Sequence, residues 1–416
     1  MAAHVPTALL QTVDRWVGTP ICFLFSLAEK IRRIFFPQAA APEEPRKILF
    51  VKFAEQGSTV LAQSALRRAV ALVGAENVYW VVFDENRFIL DILALVPESN
   101  VLTIRHSTLS ELRKEGFAAL EKVRALNIDT VVDLEFFARS SAAFTWLTQA
   151  PRRIGFHTFF GEGPYRGNLM THRLLYNPYL HTSQIFEQMV IAATADPETL
   201  PTWDVPPPPV VQQPPCFAPK AGEVEQLQSI LRQACGNDPR SLILLNPNAS
   251  DLLPLRKWPT DRYVALAQKL LKRFPEAHIV LTGAVAEAKA ASEIVQEIGS
   301  PRCVSLAGRT SLRQLMVLYT LSELLITNDS GPAHFAALTP ASVLTLFGPE
   351  TPSLFGAPTP RSTSLWLGLA CSPCVNAYNN RQSPCRNNRC MQGITVERVF
   401  TEAVRILEER QNPALD

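Results

Sequence analysis

The sequence predicts an α/β protein of two doubly wound domains, each built on a parallel sheet, with the two sheets facing a central cleft. Three observations carry this. The chain has 416 residues, 47% hydrophobic and 19% charged, enough apolar chain for two cores. From residue 47 onward, short Val/Ile/Phe-rich runs alternate with longer stretches of helical period, the pattern of successive βαβ units. The alternation is broken once, at 206–219, "PPPPVVQQPPCFAP", whose seven prolines favour an extended linker.

Residues 1–44 precede the first strand. Within "LLQTVDRWVGTPICFLFSLAEKIRRIFF" the uncharged stretch from Trp16 to Ala28 has 13 residues, whereas a spanning helix needs about 20. No basic run comes before the apolar part, and Lys30, Arg32 and Arg33 follow it, so it does not read as a secretory signal. It reads as an amphipathic segment lying on a membrane surface, broken at Pro20, with "PQAAAPEEP" as the tether. The alternative is a helix that covers a groove on the protein itself. A cytoplasmic protein, peripheral on the inner face of the cytoplasmic membrane, is therefore expected. The net charge of +2 gives no support to a nucleic-acid partner.

The N-terminal domain, 45–205, has the strand runs "KILFVKF", "NVYWVVF", "NVLTI", "IDTVVDLEFF" and "RRIGF". The C-terminal domain, 220–416, restarts with "SLILLNPNAS", "HIVLTGA", "CVSLAG", "ELLITNDSG", "SVLTLFG" and "SLWLGL", separated by helical patterns. In such folds ligands bind beyond the carboxyl ends of the strands, so the turns there are the places to look for chemistry.

The turn after the first strand carries Glu55, Gly57 and Ser58. In "LLITNDSGPAHFAAL" a strand ends at Asn328, and Asp329-Ser330-Gly331-Pro332-Ala333-His334 turns into a helix, with Pro332 where proline favours a helix start. Free N–H groups and the helix dipole at that point suit a diphosphate. The same residues also fit a plain helix cap. The loop "NPNASDLLPLRKWP" brings Ser250 and a basic pair, and Arg256 or Lys257 can reach a phosphate. Glu287, one turn beyond Gly283, is placed to bond a ribose. Glu135 and Arg139 follow the fourth strand run on the N-terminal side. Cys371, Cys374, Cys385 and Cys390, in loop 371–390, have spacing that allows structural zinc, disulfides or packing alone.

Together these stretches resemble glycosyltransferase family 9, the ADP-heptose:lipopolysaccharide heptosyltransferases, over roughly residues 47–408. The matching features are "KILFVKFAEQGS", "NPNAS...RKWP", "LTGAVAEAKA", "LAGRTSLRQL", "NDSGPAHFAA", "FGPETPSLFGAP" and the Cys-rich segment. The resemblance implies a GT-B fold of two Rossmann-like domains. It also implies inverting transfer of heptose or a related sugar from a nucleotide sugar to a lipid-linked glycan acceptor. Asp329, Ser330, Gly331, Pro332 and His334 would surround the donor diphosphate. Gly57, Ser58, Glu135 and Arg139 would face the acceptor. No acidic D-x-D pair stands beside the phosphate site, so the scheme requires no metal or other cofactor.

The chain departs from the family at one point. Family members typically carry Gly-Asp after the first strand, the Asp acting as base, where this chain has Gly57-Ser58. A serine near its normal pKa is no useful base at neutral pH, so Glu55, three residues earlier, is the expected base, with Glu135 next. An epimerase or hydrolase of the same fold, or a non-catalytic nucleotide-sugar- or glycan-binding protein, is the alternative.

Overall fold

The computed structural model describes residues 5–35, 44–213, 215–249 and 253–411. The chain divides into two compact units. The first runs to Val210 and takes in Asn376–Gln382, and the second is formed by Val211–Val375 and the chain from Ser383 onward. The Cys-rich loop, expected wholly within the C-terminal domain, thus gives its middle to the first unit.

In the first unit the strands are β1 (Ile48–Val51), β2 (Val78–Phe83), β3 (Val101–Ile104), β4 (Thr130–Asp133), β5 (Arg152–Phe156) and β6 (His172–Leu174). All pair in parallel, in the order β3-β2-β1-β4-β5-β6. The second unit repeats the plan with β7 (Ser241–Asn246), β8 (Ala277–Leu281), β9 (Cys303–Ser305), β10 (Leu324–Asn328), β11 (Ser342–Leu346) and β12 (Ser362–Leu365), ordered β12-β11-β10-β7-β8-β9. Numbered within each unit, both orders are 3-2-1-4-5-6, the doubly wound topology. Strand β6, which no sequence pattern signalled, lies inside the long 155–185 connection.

The alternation of side chains explains why these runs are apolar throughout. Ile48, Phe50, Trp80 and Val132 pack to one face of the first sheet, against the helices Gln63–Val73 and Thr182–Ile191. Leu49, Val51, Val81 and Val131 pack to the other, against the helix Leu109–Ala125. A parallel sheet covered on both faces leaves no polar side to its central strands. In the second unit Ile243, Ile279, Ile326 and Leu344 meet the helices Thr260–Arg273, Ala288–Ile298 and Val396–Gln411.

Before β1, the chain forms two helices, α1 (Thr7–Trp16) and α2 (Gly18–Phe35). The break falls at Val17 and not at Pro20, which sits in the first turn of α2, where a missing N–H removes no helical bond. Most of the tether expected after α2, residues 36–43, lies outside the described residues.

Candidate active site

In a doubly wound sheet the crevice opens where the strand order reverses. In the first unit that point lies between β1 and β4, and the chain leaving β1 enters a tight turn into α3 (Gln56–Leu61). Glu135, just past β4, holds this turn. One of its oxygens accepts from the N–H groups of Phe53 (2.8 Å) and Ala54 (3.1 Å), and the other accepts from Lys52 Nζ at 3.0 Å. Lys52 is fully buried. Glu135 is therefore committed to fixing the backbone that presents the next residue, Glu55.

Glu55 adopts a left-handed conformation with φ of 70°, uncommon for a residue with a side chain. Such strain persists only where its surroundings impose it, and it clusters at functional sites. The carboxylate is more than one-third exposed and lies 3.4 Å from Lys52 Nζ. Ser58 Oγ donates to it at 3.2 Å and also to the Glu55 carbonyl at 2.9 Å. Ser58 thus supports the neighbouring carboxylate, while Gly57 lies in the first turn of α3. Arg381, from the Asn376–Gln382 segment, pairs with the Glu55 carboxylate and lies over the Phe136 ring at 5.7 Å. Tyr378 anchors the same segment by bonding to the Tyr176 carbonyl.

Arg139 is turned elsewhere. It is buried, with Nη1 3.4 Å from Asp14 of α1. Its backbone N–H also donates to Asp14, so α1 caps the helix Arg139–Leu147.

In the second unit the order reverses between β7 and β10. Asn328, at the end of β10, joins the elements there. Its Oδ1 accepts from Trp258 N and Tyr263 OH, both at 3.1 Å, and its Nδ2 donates to the Pro247 and Asn248 carbonyls. Asp329 and Glu350 are buried and converge on Arg256, with Nε 3.3 Å from Asp329 Oδ2 and Nη2 2.7 Å from Glu350 Oε2. Of the basic pair, Arg256 therefore belongs to this site, and Lys257 is exposed. Two carboxylates thus fix the plane of the Arg256 guanidinium.

Ser330 is the N-cap of the helix Gly331–Ala337 but makes no capping bond with its side chain, and Pro332 occupies the first turn. The leading N–H groups of a helix have no intrahelical partner. Gly331 has no positive φ. A Cβ there would meet the Phe335 ring at 3.3 Å, so crowding, and not the backbone angle, is what glycine relieves. His334 is buried on this helix. Glu287 closes the 3-10 turn Val285–Glu287 that follows β8 and accepts from Ala284 N at 2.6 Å. Ser250 lies outside the described residues.

Cys371, Cys374, Cys385 and Cys390 form no disulfide, and Cys374 accepts from Ser383 Oγ at 3.2 Å. Among the described residues no group of three or more His, Cys, Asp or Glu is placed to hold a metal ion. Lys52, Arg381 and Glu350 were not foreseen from sequence. Glu350 alone had a signal, standing after a strand in "FGPETP".

Comparison with known proteins agrees with the two-unit α/β fold. Residues 117–383 match the model of glycosyltransferase family 9 (heptosyltransferase). Lipopolysaccharide heptosyltransferase 2 of Salmonella typhimurium is 34% identical over 27% of this chain and 32% of its own. Lipooligosaccharide heptosyltransferase 2 of Campylobacter jejuni is 27% identical over 41% and 52%. The matched part thus spans about a third to a half of the length of these relatives. Among solved structures, the E. coli ADP-heptose lipopolysaccharide heptosyltransferase II superposes with a TM-score of 0.65 at 20% identity, covering 88% of this chain and 99% of that one. The E. coli heptosyltransferase WaaC with ADP gives 0.58 at 17%, covering 86% and 99%.

Proposed function

The chain belongs to glycosyltransferase family 9, and from that premise we propose that it moves a heptose or related sugar from a nucleotide sugar to a hydroxyl of a lipopolysaccharide-type glycan, inverting the anomeric carbon. The first unit takes the acceptor and the second the donor. Glu55 receives the acceptor proton while that oxygen bonds to the anomeric carbon. The bond from this carbon to the diphosphate breaks on the opposite face, and its electron pair leaves with the nucleoside diphosphate. Arg256, aimed by Asp329 and Glu350, balances the charge that builds there, assisted by the N–H groups from Ser330 onward. Glu287 holds the ribose. The structural relative WaaC of E. coli is seen with ADP, which supports an ADP-type donor.

The observation that carries the reading is the Glu55 carboxylate, exposed at the first switch point and bonded by Ser58 Oγ. It supplies the base that a serine in the family's Asp position does not. The test is Glu55→Gln, assayed with ADP-heptose and heptose-free lipopolysaccharide core. Turnover should fall about 100- to 10,000-fold with ADP affinity unchanged by calorimetry. Adding Ser58→Asp in that background should restore part of the rate. Undiminished turnover in Glu55→Gln would remove Glu55 from the mechanism.

A further inference from the structure

The helical pair α1–α2 is apolar on two sides. Its inner side is fastened to the first unit. Cys22 is fully buried, and the Phe25 and Trp146 rings stack at 4.4 Å. Glu29, also buried, accepts from Trp146 Nε1 at 2.9 Å and from Arg153 Nη2 at 3.0 Å. Ser26 Oγ accepts from Asn168 N at 2.8 Å. Gly167, with φ of 71°, lets this approach happen, because a Cβ there would fall 2.6 Å from the Cys22 carbonyl oxygen.

The outer side of α2 exposes Phe23, Leu24, Leu27, Ile31, Ile34 and Phe35, each at least 48% accessible, with Trp16 and Val17 exposed at the bend from α1. At 3.6 residues per turn the six residues of α2 fall within an arc of about 120°, one continuous stripe. Contiguous exposed apolar surface of this kind marks an interaction site.

Charge identifies the occupant. Between residues 5 and 35 the acids are Asp14 and Glu29, and both turn inward: Asp14 bonds the N–H groups of Arg139 and Ser140, and Glu29 bonds Arg153 and Trp146. The exposed ionic groups of the pair are the cations Arg15, Lys30 and Arg33. A face that is apolar along its centre and solely cationic at its edge complements an anionic lipid surface, where acyl chains lie below phosphate head groups. No helix among the described residues is long and apolar enough to cross a membrane.

We propose that the outer face of α1–α2 seats the first unit on an anionic phospholipid bilayer, with α2 lying along the interface as a rigid part of the domain. Glu29, Trp146 and Arg153 transmit the seating to the fold, so the domain is held in one orientation and does not swing from a tether. Membrane seating does not depend on the transfer chemistry.

The test is flotation of the full-length protein with vesicles of phosphatidylethanolamine and phosphatidylglycerol, against vesicles of phosphatidylcholine alone. Wild type should float with the anionic vesicles and far less with the neutral ones. Leu24→Gln/Leu27→Gln/Ile31→Gln alters only exposed positions. It should abolish flotation while leaving the thermal midpoint and ADP affinity in place. Arg15→Gln/Lys30→Gln should weaken binding roughly fivefold per cation removed, and raised salt should do the same. Equal binding to both vesicle types, or flotation that survives the triple variant, would overturn the proposal. So would a dimer in sedimentation equilibrium that the triple variant dissociates, because that would give the stripe to a second copy of the chain.

Discussion

Lys52 shows what a single buried charge does for the site. Its ammonium is shut off from water and faces Glu135 at 3.0 Å and Glu55 at 3.4 Å. Lys52→Met keeps the volume and strands the Glu135 carboxylate, and removing one partner of a buried pair costs about 3–5 kcal/mol. Urea unfolding should therefore report a large loss of stability, whereas Ser58→Ala should leave the unfolding midpoint nearly in place. Ser58→Ala removes a hydroxyl that steadies the partly exposed Glu55 carboxylate, so turnover should fall by about one order of magnitude with ADP affinity intact. In the second unit, Gly331→Ala brings a methyl to within 3.3 Å of the end of the Phe335 ring, a tight contact that small adjustments of the ring relieve. Calorimetry should show weakened ADP binding with a nearly unchanged melting temperature; equal affinities would leave this turn as a helix cap alone. Glu55, Ser58, Arg256 and Asp329 could be singled out as candidates from the sequence because each lies in a turn or loop that follows the carboxyl end of a strand, where topology puts ligands. Lys52 and Arg381 were not, since their partners lie 83 and 326 residues away and no local period encodes the pairing.

At the scale of elements, the apolar runs announced nearly every strand, because a strand covered on both faces needs an unbroken run of such residues. Strand β6 escaped notice: three residues with an exposed Arg173 at the centre, on the sheet edge, carry too little pattern. The helix pair α1–α2 was legible as amphipathic, but its docking was not, because Glu29 is an ordinary helical glutamate until Arg153 and Trp146 are brought beside it. Burial works to raise the Glu29 carboxyl. The bond from Trp146 and the charges of Arg153, Arg33 and Arg32 outweigh it and hold the group at about 2. A carboxyl lowered in the folded state stabilises the fold above its unfolded value near 4.5, and that contribution drains away as pH falls toward 2. A shift of this size corresponds to something on the order of 3 kcal/mol. The stability difference between wild type and Glu29→Gln, from urea midpoints at a series of pH values, should thus be full at pH 6 and shrink progressively below about 4.5. A difference independent of pH in that window would show that the charge of Glu29 does not fasten the helix.

For the molecule as a whole, two sheets of the same 3-2-1-4-5-6 order, each with its own core, make two compact units along one chain. The Asn376–Gln382 segment is the exception to a clean division, since it leaves the second unit's sequence and packs in the first. There Tyr378 lies against Phe137 and Tyr176, with ring centroids 5.6 and 5.2 Å away, and Arg381 reaches Glu55. Replacing these seven residues by a Gly/Ser sequence of equal length removes an aromatic anchor and the guanidinium beside the proposed base, while the second unit keeps its whole core. Scanning calorimetry should then resolve two transitions, of which only the first unit's moves down. ADP should raise only the second unit's transition, in wild type and variant alike, because a ligand stabilises the unit that binds it. Transfer should fall with ADP binding retained, since the loss lies beside Glu55 and not at Arg256. A single transition shifted by both perturbations would mean that the chain unfolds as one unit and that the segment couples the two sites. ADP binding lost along with the segment would instead place part of the donor site within Asn376–Gln382.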